Sequence, residues 1–217
     1  MSDLREILRG LDVFDGDLPP FDIAELPADP HELFIEWLLA AVAAGVREPH
    51  AMTVSTLGAD GDPAARVLIV KNVSAAGWEF ASDTGSRKGR ELAAHPAAAL
   101  TFYWSPLARQ VRIRGRVETA GPEASAADFL ARSPGARAEA LLGRQSAPLS
   151  DLATRDAAVR EAAGRIERDP DLVAPGWALH TLRADSVEFW QGDRDRRHTR
   201  VNYVRTEGGW ERGLLWP

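Results

Sequence analysis

Residues 65–94, which decide the fold, read ARVLIVKNVSAAGWEFASDTGSRKGRELAA. A nearly continuous apolar, β-rich run predicts a strand over 65–73, and a turn at Gly77 leads into a second strand over 78–82. The polar sequence that follows predicts a short helix over 87–95, which ends where a proline comes next. The stretch is therefore expected to form strand, turn, strand, loop and helix.

The start of that helix carries a clear chemical signal. Ser86 is a good N-cap, whereas Arg87 and Lys88 place positive charge where the helix dipole is already positive. Because unpaired N–H groups at a helix start favour an anion, we expect an anion to bind here, and a phosphate is the natural choice. Arg66 and Lys71, at the two ends of the preceding apolar run, add two more cations.

The strand predicted over 109–118 alternates regularly. Val111, Ile113 and Val117 share one face and three arginines share the other, with Gly115 as a break in the pattern. Such alternation predicts a half-buried strand with a solvated basic face. Gln110 belongs to this strand, and we expect it close behind the cations of the 65–94 stretch.

Most of the remaining chain consists of short β-rich segments separated by turn residues. Many short antiparallel strands with few helices predict a mainly β fold of the α+β class, a closed or nearly closed barrel with helices packed outside. Helical spacing of apolar residues predicts helices from Asp29-Pro30 to about Gly45, over 123–142 and over 150–168. Further strands are predicted at 51–57, 97–104, 177–184, 186–192, 200–206 and 210–216.

Length and composition bound the class of protein. The chain has 217 residues, a net charge of −6 and no cysteine, which fits one globular domain without disulfides or thiolate metal sites. The acidic balance argues against a general nucleic-acid or membrane-surface binder. Residues 1–30, rich in Asp and Pro, are expected to form a flexible arm, and residues 31–217 a single domain. With no apolar run near the ~20 residues that span a bilayer, and no secretory signal at the N-terminus, a cytoplasmic location is expected.

A second basic group follows Trp190 in the sequence WQGDRDRRHTR. Planar guanidinium groups recognise phosphate or carboxylate through paired hydrogen bonds, and His198 can titrate near neutral pH. The familiar nucleotide-loop, zinc-protease and serine-hydrolase motifs are missing, and the five histidines lack metal-ligand spacing, so no metal site is predicted. The residues alone thus predict a phosphorylated aromatic ligand held on a β-barrel by two separate basic groups.

Several motifs together give a more specific resemblance. RVLIVK, SRKGRELAAHP, FYW, RQVRIRGRVE, RQS and VEFWQG with a following Arg-x-His occur in the order and spacing of the pyridoxamine 5′-phosphate oxidase family. The resemblance runs from about residue 48 to 160 and resumes through the C-terminus. It implies a split antiparallel β-barrel that forms a homodimer, with FMN bound in clefts at the subunit interface.

The resemblance also implies roles for individual residues. Arg196 and His198 would be catalytic and would orient the substrate while its hydride passes to flavin N5 and oxygen is reduced to hydrogen peroxide. Residues matching substrate-side positions are Lys71, Asp128, Arg132, Ala136, Arg196 and His198. Residues matching FMN contacts are Arg66, Val67, Leu68, Ile69, Val70, Lys71, Ala81, Ser82, Arg87, Lys88, Gln110, Gln145, Ser146, Trp190 and Arg200.

The departures from the family pattern concern the substrate side. Where the family has a Tyr, an Arg and a Ser four residues apart as a phosphate clamp, this chain has Asp128, Arg132 and Ala136. The Trp-Gly-Gly of the family reads Trp177-Ala178-Leu179 here. Losing a hydrogen bond to a charged group costs about 1.5–3 kcal/mol, or roughly 10- to 150-fold in affinity, and an added carboxylate would repel a phosphate further.

Three functional hypotheses follow. The first is an FMN-dependent oxidase of pyridoxine or pyridoxamine 5′-phosphate. The second is an FMN-dependent oxidase of a non-phosphorylated aromatic, since VREP at 46–49, FASDTGS at 80–86 and PGWALHTL at 175–182 resemble the flavin oxidases of phenazine biosynthesis. The third is an FMN-binding module without oxidase turnover.

Overall fold

A computed structural model describes residues 3–14 and 16–217. The chain alternates between strands of one antiparallel sheet and helices that pack outside it. The helices are α1 (Leu4–Arg9), α2 (Pro30–Ala43), α3 (Arg87–Ala94), α4 (Pro122–Leu130), α5 (Pro134–Leu141) and α6 (Leu152–Arg168), with a 3₁₀ turn at Ser105–Leu107. The strands are β1 (Ala51–Leu57), β2 (Pro63–Ile69), β3 (Asn72–Ser74), β4 (Gly77–Asp83), β5 (Ala97–Trp104), β6 (Arg109–Thr119), β7 (Trp177–Gln191), β8 (Thr199–Thr206) and β9 (Gly209–Leu214).

The sheet closes into a barrel through two strands that are consecutive in the chain. The strand order is β2-β1-β5-β6-β7-β4-β3, so β2 and β3 lie at its opposite ends. Only Val70 and Lys71 separate these strands, and the Lys71 backbone N–H donates to the Glu79 carbonyl of β4 at 2.8 Å. The predicted strand over 65–73 is therefore two strands, and Lys71 lies at the bend between them.

Strand β7 is where the barrel splits. One edge of β7 pairs with β6 from residue 180 to 191, whereas its other edge pairs with β4 over 177–182 and with β8 over 186–191. The register with β6 shifts between Arg114 and Gly115. A Cβ at Gly115 would lie 1.9 Å from the Arg183 carbonyl oxygen, so the close approach of backbones at this bulge requires glycine. The two strands predicted over 177–184 and 186–192 thus form one long strand.

The core of the barrel follows the alternation seen in the sequence. Val111, Ile113 and Val117 of β6 are buried while Arg112, Arg114 and Arg116 are exposed, as predicted. Helix α2 contributes apolar side chains to the same core. The largest fully buried side chains are Phe34, Met52, Trp78, Phe80, Leu100, Phe102, Trp104, Ile113, Phe129, Leu182, Phe189 and Tyr203.

The helix predicted over 123–142 is in fact two helices. Helix α4 ends at Leu130, and α5 begins at Pro134 with Ser133 as its N-cap. Proline suits the first turn of a helix, since it has no N–H to donate, and it disrupts a helix interior. Arg132 therefore lies in a short connection rather than on a continuous helical face.

The segment before α2 contacts the barrel at several points. The Tyr203 hydroxyl donates to the Pro27 carbonyl at 3.0 Å, and Phe21 packs edge-on against Trp37. Helix α1 has no buried residues. A division between arm and domain at residue 30 stays a prediction. Within residues 3–14 and 16–217, no helix has the length and apolar character needed to cross a membrane.

Candidate functional site

The loop before α3 is tightly built. Ser86 caps the helix: its hydroxyl accepts from the Gly89 N–H at 3.1 Å and donates to the Asp83 carbonyl at 2.6 Å. A Cβ at Gly89 would lie 2.4 Å from that same Asp83 oxygen, so glycine lets the loop pack directly against the first turn. The N-terminus of α3 is thereby held in a fixed orientation, as the capping pattern predicted.

Cations and amides from distant parts of the chain meet at this helix start. Lys88 Nζ donates to Gln145 Oε1 at 2.6 Å, and the Arg87 backbone N–H donates to Ser146 Oγ at 3.3 Å. Burial, and then the nearby charge of Arg66, lower the pKa of Lys88 from its usual value. We call this group the cradle, and it consists of Arg66, Ser86, Arg87, Lys88, Gln145 and Ser146.

Glu91 joins two arginines of the cradle. Its Oε2 accepts from Arg66 at 2.9 Å, and its Oε1 accepts from Arg87 Nε at 2.8 Å. Thr56 Oγ1 lies between these groups, since it donates to Glu91 and accepts from Arg66, both at 2.5 Å. Sequence reasoning missed Glu91, although its position four residues after Arg87 on one helix was a visible signal.

Ser82 and Ala81 lie on β4 beside the cradle. The Ser82 hydroxyl is 3.1 Å from His180 Nε2, and the Thr119 hydroxyl is 3.0 Å from His180 Nδ1. His180 is buried, and burial together with the charge of Lys88 lowers its pKa from 6.5 to about 4. The imidazole is therefore neutral at physiological pH. Sequence reasoning did not identify this buried histidine.

The β2 residues expected to line a cofactor differ in orientation. Arg66 and Leu68 are half-buried, whereas Val67 and Ile69 are exposed on the other face of the strand. Val70 is buried, and its N–H donates to the His50 carbonyl at 2.9 Å. The strand thus offers the cradle one side chain, that of Arg66, and exposes an apolar face to its surroundings.

A second group surrounds Asp128 of α4. One carboxylate oxygen accepts from Lys71 Nζ at 2.7 Å, and the other accepts from Trp177 Nε1 at 2.7 Å. The Arg132 guanidinium lies 4.0 Å from the centre of the Trp177 ring, and its buried Nη1 has no hydrogen-bond partner among the described residues. Ala136, in the first turn of α5, offers no side-chain donor. We call Lys71, Asp128, Arg132 and Trp177 the Asp128 cluster.

A third group lies at the far end of β7. Gln110 and Arg200 are the cross-strand neighbours of Trp190 on either side, and the His198 ring lies 4.9 Å from the Trp190 ring. Arg200 forms an ion pair with Glu188 at 3.0 Å. We call Gln110, Trp190, Arg196, His198 and Arg200 the Trp190 cluster.

A backbone N–H of the adjoining loop determines which nitrogen of the neutral His198 ring carries the proton. The Asp193 N–H donates to His198 Nδ1 at 3.1 Å, so in the neutral ring the proton is on Nε2. Arg196 has a left-handed backbone with φ of 63°, and Phe14 packs against Trp190 and His198 at 5.8 and 5.4 Å between ring centres. A positive φ at a bulky residue indicates a constrained loop.

The three groups are not all adjacent in one protomer. Trp177 and Trp190 are at opposite ends of β7, thirteen residues apart, which corresponds to roughly 40 Å along a strand. The cradle and the Asp128 cluster lie toward the Trp177 end, where Asp83 pairs with Trp177. Gln110, expected close behind the first cations, lies instead with Trp190. The structure therefore separates Arg196 and His198 from Lys71 and Arg132 within one chain.

The chain is thus a split antiparallel barrel with cations at a helix start, and that arrangement suits an anionic ligand. Residues 38–165 match the family model described as pyridoxamine 5′-phosphate oxidase, and residues 177–217 match the C-terminal dimerisation region of pyridoxine 5′-phosphate oxidase. The chain belongs to the pyridoxamine 5′-phosphate oxidase family, which implies an oxidoreductase, and the second match supports a homodimer.

Individual relatives agree with this assignment. The chain is 42% identical over 199 residues to pyridoxine/pyridoxamine 5′-phosphate oxidase of Burkholderia vietnamiensis, covering 90% of this chain and 92% of that one. It is 40% identical over 192 residues to the enzyme of the same name from Myxococcus xanthus, covering 88% and 93%. The crystal structure of PhzG from Burkholderia lata, in complex with tetrahydrophenazine-1-carboxylic acid, superposes with a TM-score of 0.86 at 27% identity, covering 93% and 100%. These comparisons confirm the predicted family and the split-barrel fold.

Proposed function

We propose that the protein is an FMN-dependent oxidase of pyridoxine or pyridoxamine 5′-phosphate. The observation that carries this proposal is the cradle, in which Arg66, Arg87 and Lys88 meet at the capped start of α3. Relatives that are about 40% identical over nine-tenths of the chain bear the name of this activity. Arg66, Arg87 and Lys88 would hold the phosphate of FMN, and the bound flavin would supply the hydride acceptor and the route for electrons to oxygen, with hydrogen peroxide as product.

The donor set of the cradle fits the phosphate of FMN. The three cations Arg66, Arg87 and Lys88, placed at the positive end of the α3 dipole, are donors of the kind that a phosphate dianion prefers. Gln145 and Ser146 hold Lys88 and the first turn in place. Ala81, Ser82 and the 66–71 segment are then assigned to the rest of the flavin on the same protomer.

The distance along β7 supports a site shared between two protomers. Gln110, Trp190 and Arg200 match flavin contacts by resemblance, yet they lie at the opposite end of β7 from the cradle. A second copy of the chain would bring its Trp190 cluster to the first copy's cradle. The exposed apolar residues of β2, Val67 and Ile69, give such a partner an apolar surface to cover.

The residues assigned to catalysis bind and orient the substrate. His198 presents a donating Nε2–H, because its Nδ1 is already occupied by the Asp193 N–H. Arg196, on the constrained loop two residues earlier, supplies a permanent cation. Together they would hold the polar groups of an aromatic ring against the flavin, while Lys71 and Arg132 bind its opposite end.

A second function is favoured by the pairing of Asp128. The carboxylate already accepts hydrogen bonds from Lys71 and Trp177, and it would repel a phosphate placed beside Arg132. The alternative is therefore FMN-dependent oxidation of a non-phosphorylated aromatic. PhzG, the structural relative at 27% identity, was crystallised with an aromatic carboxylic acid of this kind.

The decisive experiment is a substrate comparison with the purified protein. The flavin content is measured first from the absorption spectrum after release and chromatography. Hydrogen peroxide production is then followed with pyridoxine 5′-phosphate, pyridoxamine 5′-phosphate and a reduced phenazine carboxylic acid. Turnover of the phosphates supports the first proposal, and turnover of only the phenazine supports the second. A flavin-loaded protein that produces no peroxide with either group would instead be an FMN-binding module.

A further inference from the structure

We propose that Glu91 is a positioning residue, which holds Arg66 and Arg87 in the orientation that binds the FMN phosphate. The inference rests on the proposed function, because it assumes that the cradle binds that phosphate. It concerns a residue that the family resemblance does not assign to the site. Glu91 itself does not contact the ligand in this proposal.

The contacts of Glu91 place it beneath the cradle rather than within it. Its side chain is 6% exposed, and both carboxylate oxygens are occupied by protein donors. One oxygen receives Arg66 from β2 and Thr56 from β1, and the other receives Arg87 from the first turn of α3. The carboxylate therefore links two strands and a helix at one point.

The bond to Glu91 restricts the side chain of Arg87 most. Its side chain is 62% exposed, and an unattached arginine at that exposure would sample many rotamers. The bond from Nε to Glu91 holds the guanidinium by one edge and leaves its two terminal nitrogens unoccupied by Glu91. Those two nitrogens are the pair that recognises a phosphate in paired geometry. Holding Arg87 in place before the ligand arrives reduces the entropy lost on binding.

Because Glu91 is negatively charged, a positioning role and a purely electrostatic role predict opposite changes in FMN affinity when it is replaced. Burial disfavours the carboxylate, but hydrogen bonds from Thr56, Arg87 and Arg66 outweigh it and lower the pKa of Glu91, so the group is ionised at neutral pH. A negative charge near the cradle repels a phosphate dianion. If charge alone mattered, removing it would tighten FMN binding. If Glu91 positions the arginines, removing it weakens FMN binding.

The test replaces Glu91 with glutamine in the full chain and measures the affinity for two flavins. Flavin-free protein is titrated with FMN and with riboflavin, which lacks the phosphate, by fluorescence quenching. An amide cannot accept from donors on both sides, so Glu91→Gln releases one of the two arginines. We expect the FMN affinity to fall about tenfold or more while the riboflavin affinity stays the same, because a charge-assisted hydrogen bond is lost only for the phosphate.

Two further variants keep the result interpretable. Glu118→Gln makes the same chemical change in an ion pair with Arg183 that is 61% exposed on both sides, and it should leave both affinities unchanged. Thr56→Val keeps the charge and shape of the pocket but removes one bond to Glu91 and one to Arg66. Thr56→Val should also lower the FMN affinity, by a smaller factor than Glu91→Gln does. It provides the test if Glu91→Gln does not fold.

Four outcomes would overturn the inference. Tighter FMN binding by Glu91→Gln would show that the carboxylate acts only through its charge. Equal losses for FMN and riboflavin, together with a lower melting temperature, would show a purely structural role. Unchanged affinities in both variants, while Arg87→Ala weakens FMN, would remove the role of Glu91 and leave the proposed function intact. A wild-type protein that binds FMN no better than riboflavin would instead remove the phosphate cradle itself, and Glu91's role with it.

Discussion

The cradle and the Asp128 cluster use the same residue types to opposite effect. Each places lysine and arginine beside one carboxylate. Glu91 accepts hydrogen bonds from Arg66 and Arg87 of the cradle, and the partners of Lys88 in the described part of the chain are two neutral oxygens, those of Ser86 and Gln145. In the Asp128 cluster, the carboxylate itself accepts the hydrogen bonds of Lys71 and Trp177.

The number of donors that remain for a ligand differs accordingly. The cradle keeps several cationic N–H groups for a phosphate, together with the start of α3. The Asp128 cluster keeps chiefly Arg132, whose buried Nη1 has no partner in residues 3–14 and 16–217. The position of a carboxylate relative to the cations, rather than the number of cations, decides whether a basic cluster can bind a dianion. By this criterion the cradle suits a phosphate dianion, and the Asp128 cluster suits one less.

The largest effect is expected from removing two cations of the cradle. Arg87→Ala combined with Lys88→Ala removes two charge-assisted contacts, each worth about 1.5–3 kcal/mol. The FMN affinity should fall by more than about 100-fold, measured by fluorescence titration. Arg90→Ala is the matched control, since Arg90 lies on the same helix and donates to the Gly85 carbonyl instead. Unchanged FMN affinity in the double variant would show that the phosphate binds elsewhere.

A separate effect is expected on the substrate side. Arg132→Ala removes the one guanidinium of the Asp128 cluster and should lower kcat/KM for the true substrate by roughly 10- to 150-fold. The FMN affinity should not change, because Arg132 is not part of the cradle. Arg132→Lys keeps the charge but loses the planar stacking on Trp177, and it should restore only part of the activity. A parallel loss of FMN affinity would show that the two regions are not independent.

Acid should lower the stability of the folded protein through His180, which lies beside the cradle. Its folded-state pKa is about 4, while the unfolded chain has the usual value near 6.5. Between these values the unfolded state takes up a proton that the folded state does not, so stability is full above about pH 6.5 and falls as the pH approaches 4. This histidine should account for a loss of up to about 3 kcal/mol over that window.

Urea unfolding at several pH values measures that loss. His180→Gln removes the titrating group and should flatten the dependence between pH 6.5 and 4, although its stability at pH 7 will be lower because the bonds to Ser82 and Thr119 change. The same slope in wild type and variant would mean that His180 titrates normally in the folded protein.

The parts of the site that could be predicted from the sequence are those carried by contiguous residues. Ser86, Arg87 and Lys88 are adjacent, so a capped helix start that carries two cations is visible without a structure. The alternation of β6 likewise follows from a local pattern. Glu91 was accessible in principle, since its spacing from Arg87 is one helical turn, but its bonds to Arg66 and Thr56 depend on how α3 packs against β1 and β2.

Other features depend on contacts between distant segments. The partnership of Asp128 with Trp177 spans 49 positions, and that of Ser82 with His180 spans 98. Neither follows from propensity or periodicity, because both depend on the register of β7 with its neighbours. The bend at Val70 and Lys71 lies inside a nearly continuous apolar, β-rich run, and the adjacent Asn72 was too weak a turn signal to divide the predicted strand. Pro134 marks the break between α4 and α5 in the sequence, but the prediction of one helix over 123–142 overlooked it.

The smallest predicted effect tests the substrate side directly. Asp128→Asn removes the negative charge and keeps nearly the same shape. The ammonium group of Lys71 is then no longer in an ion pair, and the repulsion between the carboxylate and a phosphate disappears. The kcat/KM for pyridoxine or pyridoxamine 5′-phosphate should rise about tenfold, and the FMN affinity should not change. Asp156→Asn, in an exposed pair with Arg155 on α6, is the matched control. A fall in phosphate turnover would show that Asp128 instead holds Lys71 in its working position, and that the cluster around it already suits a phosphorylated substrate.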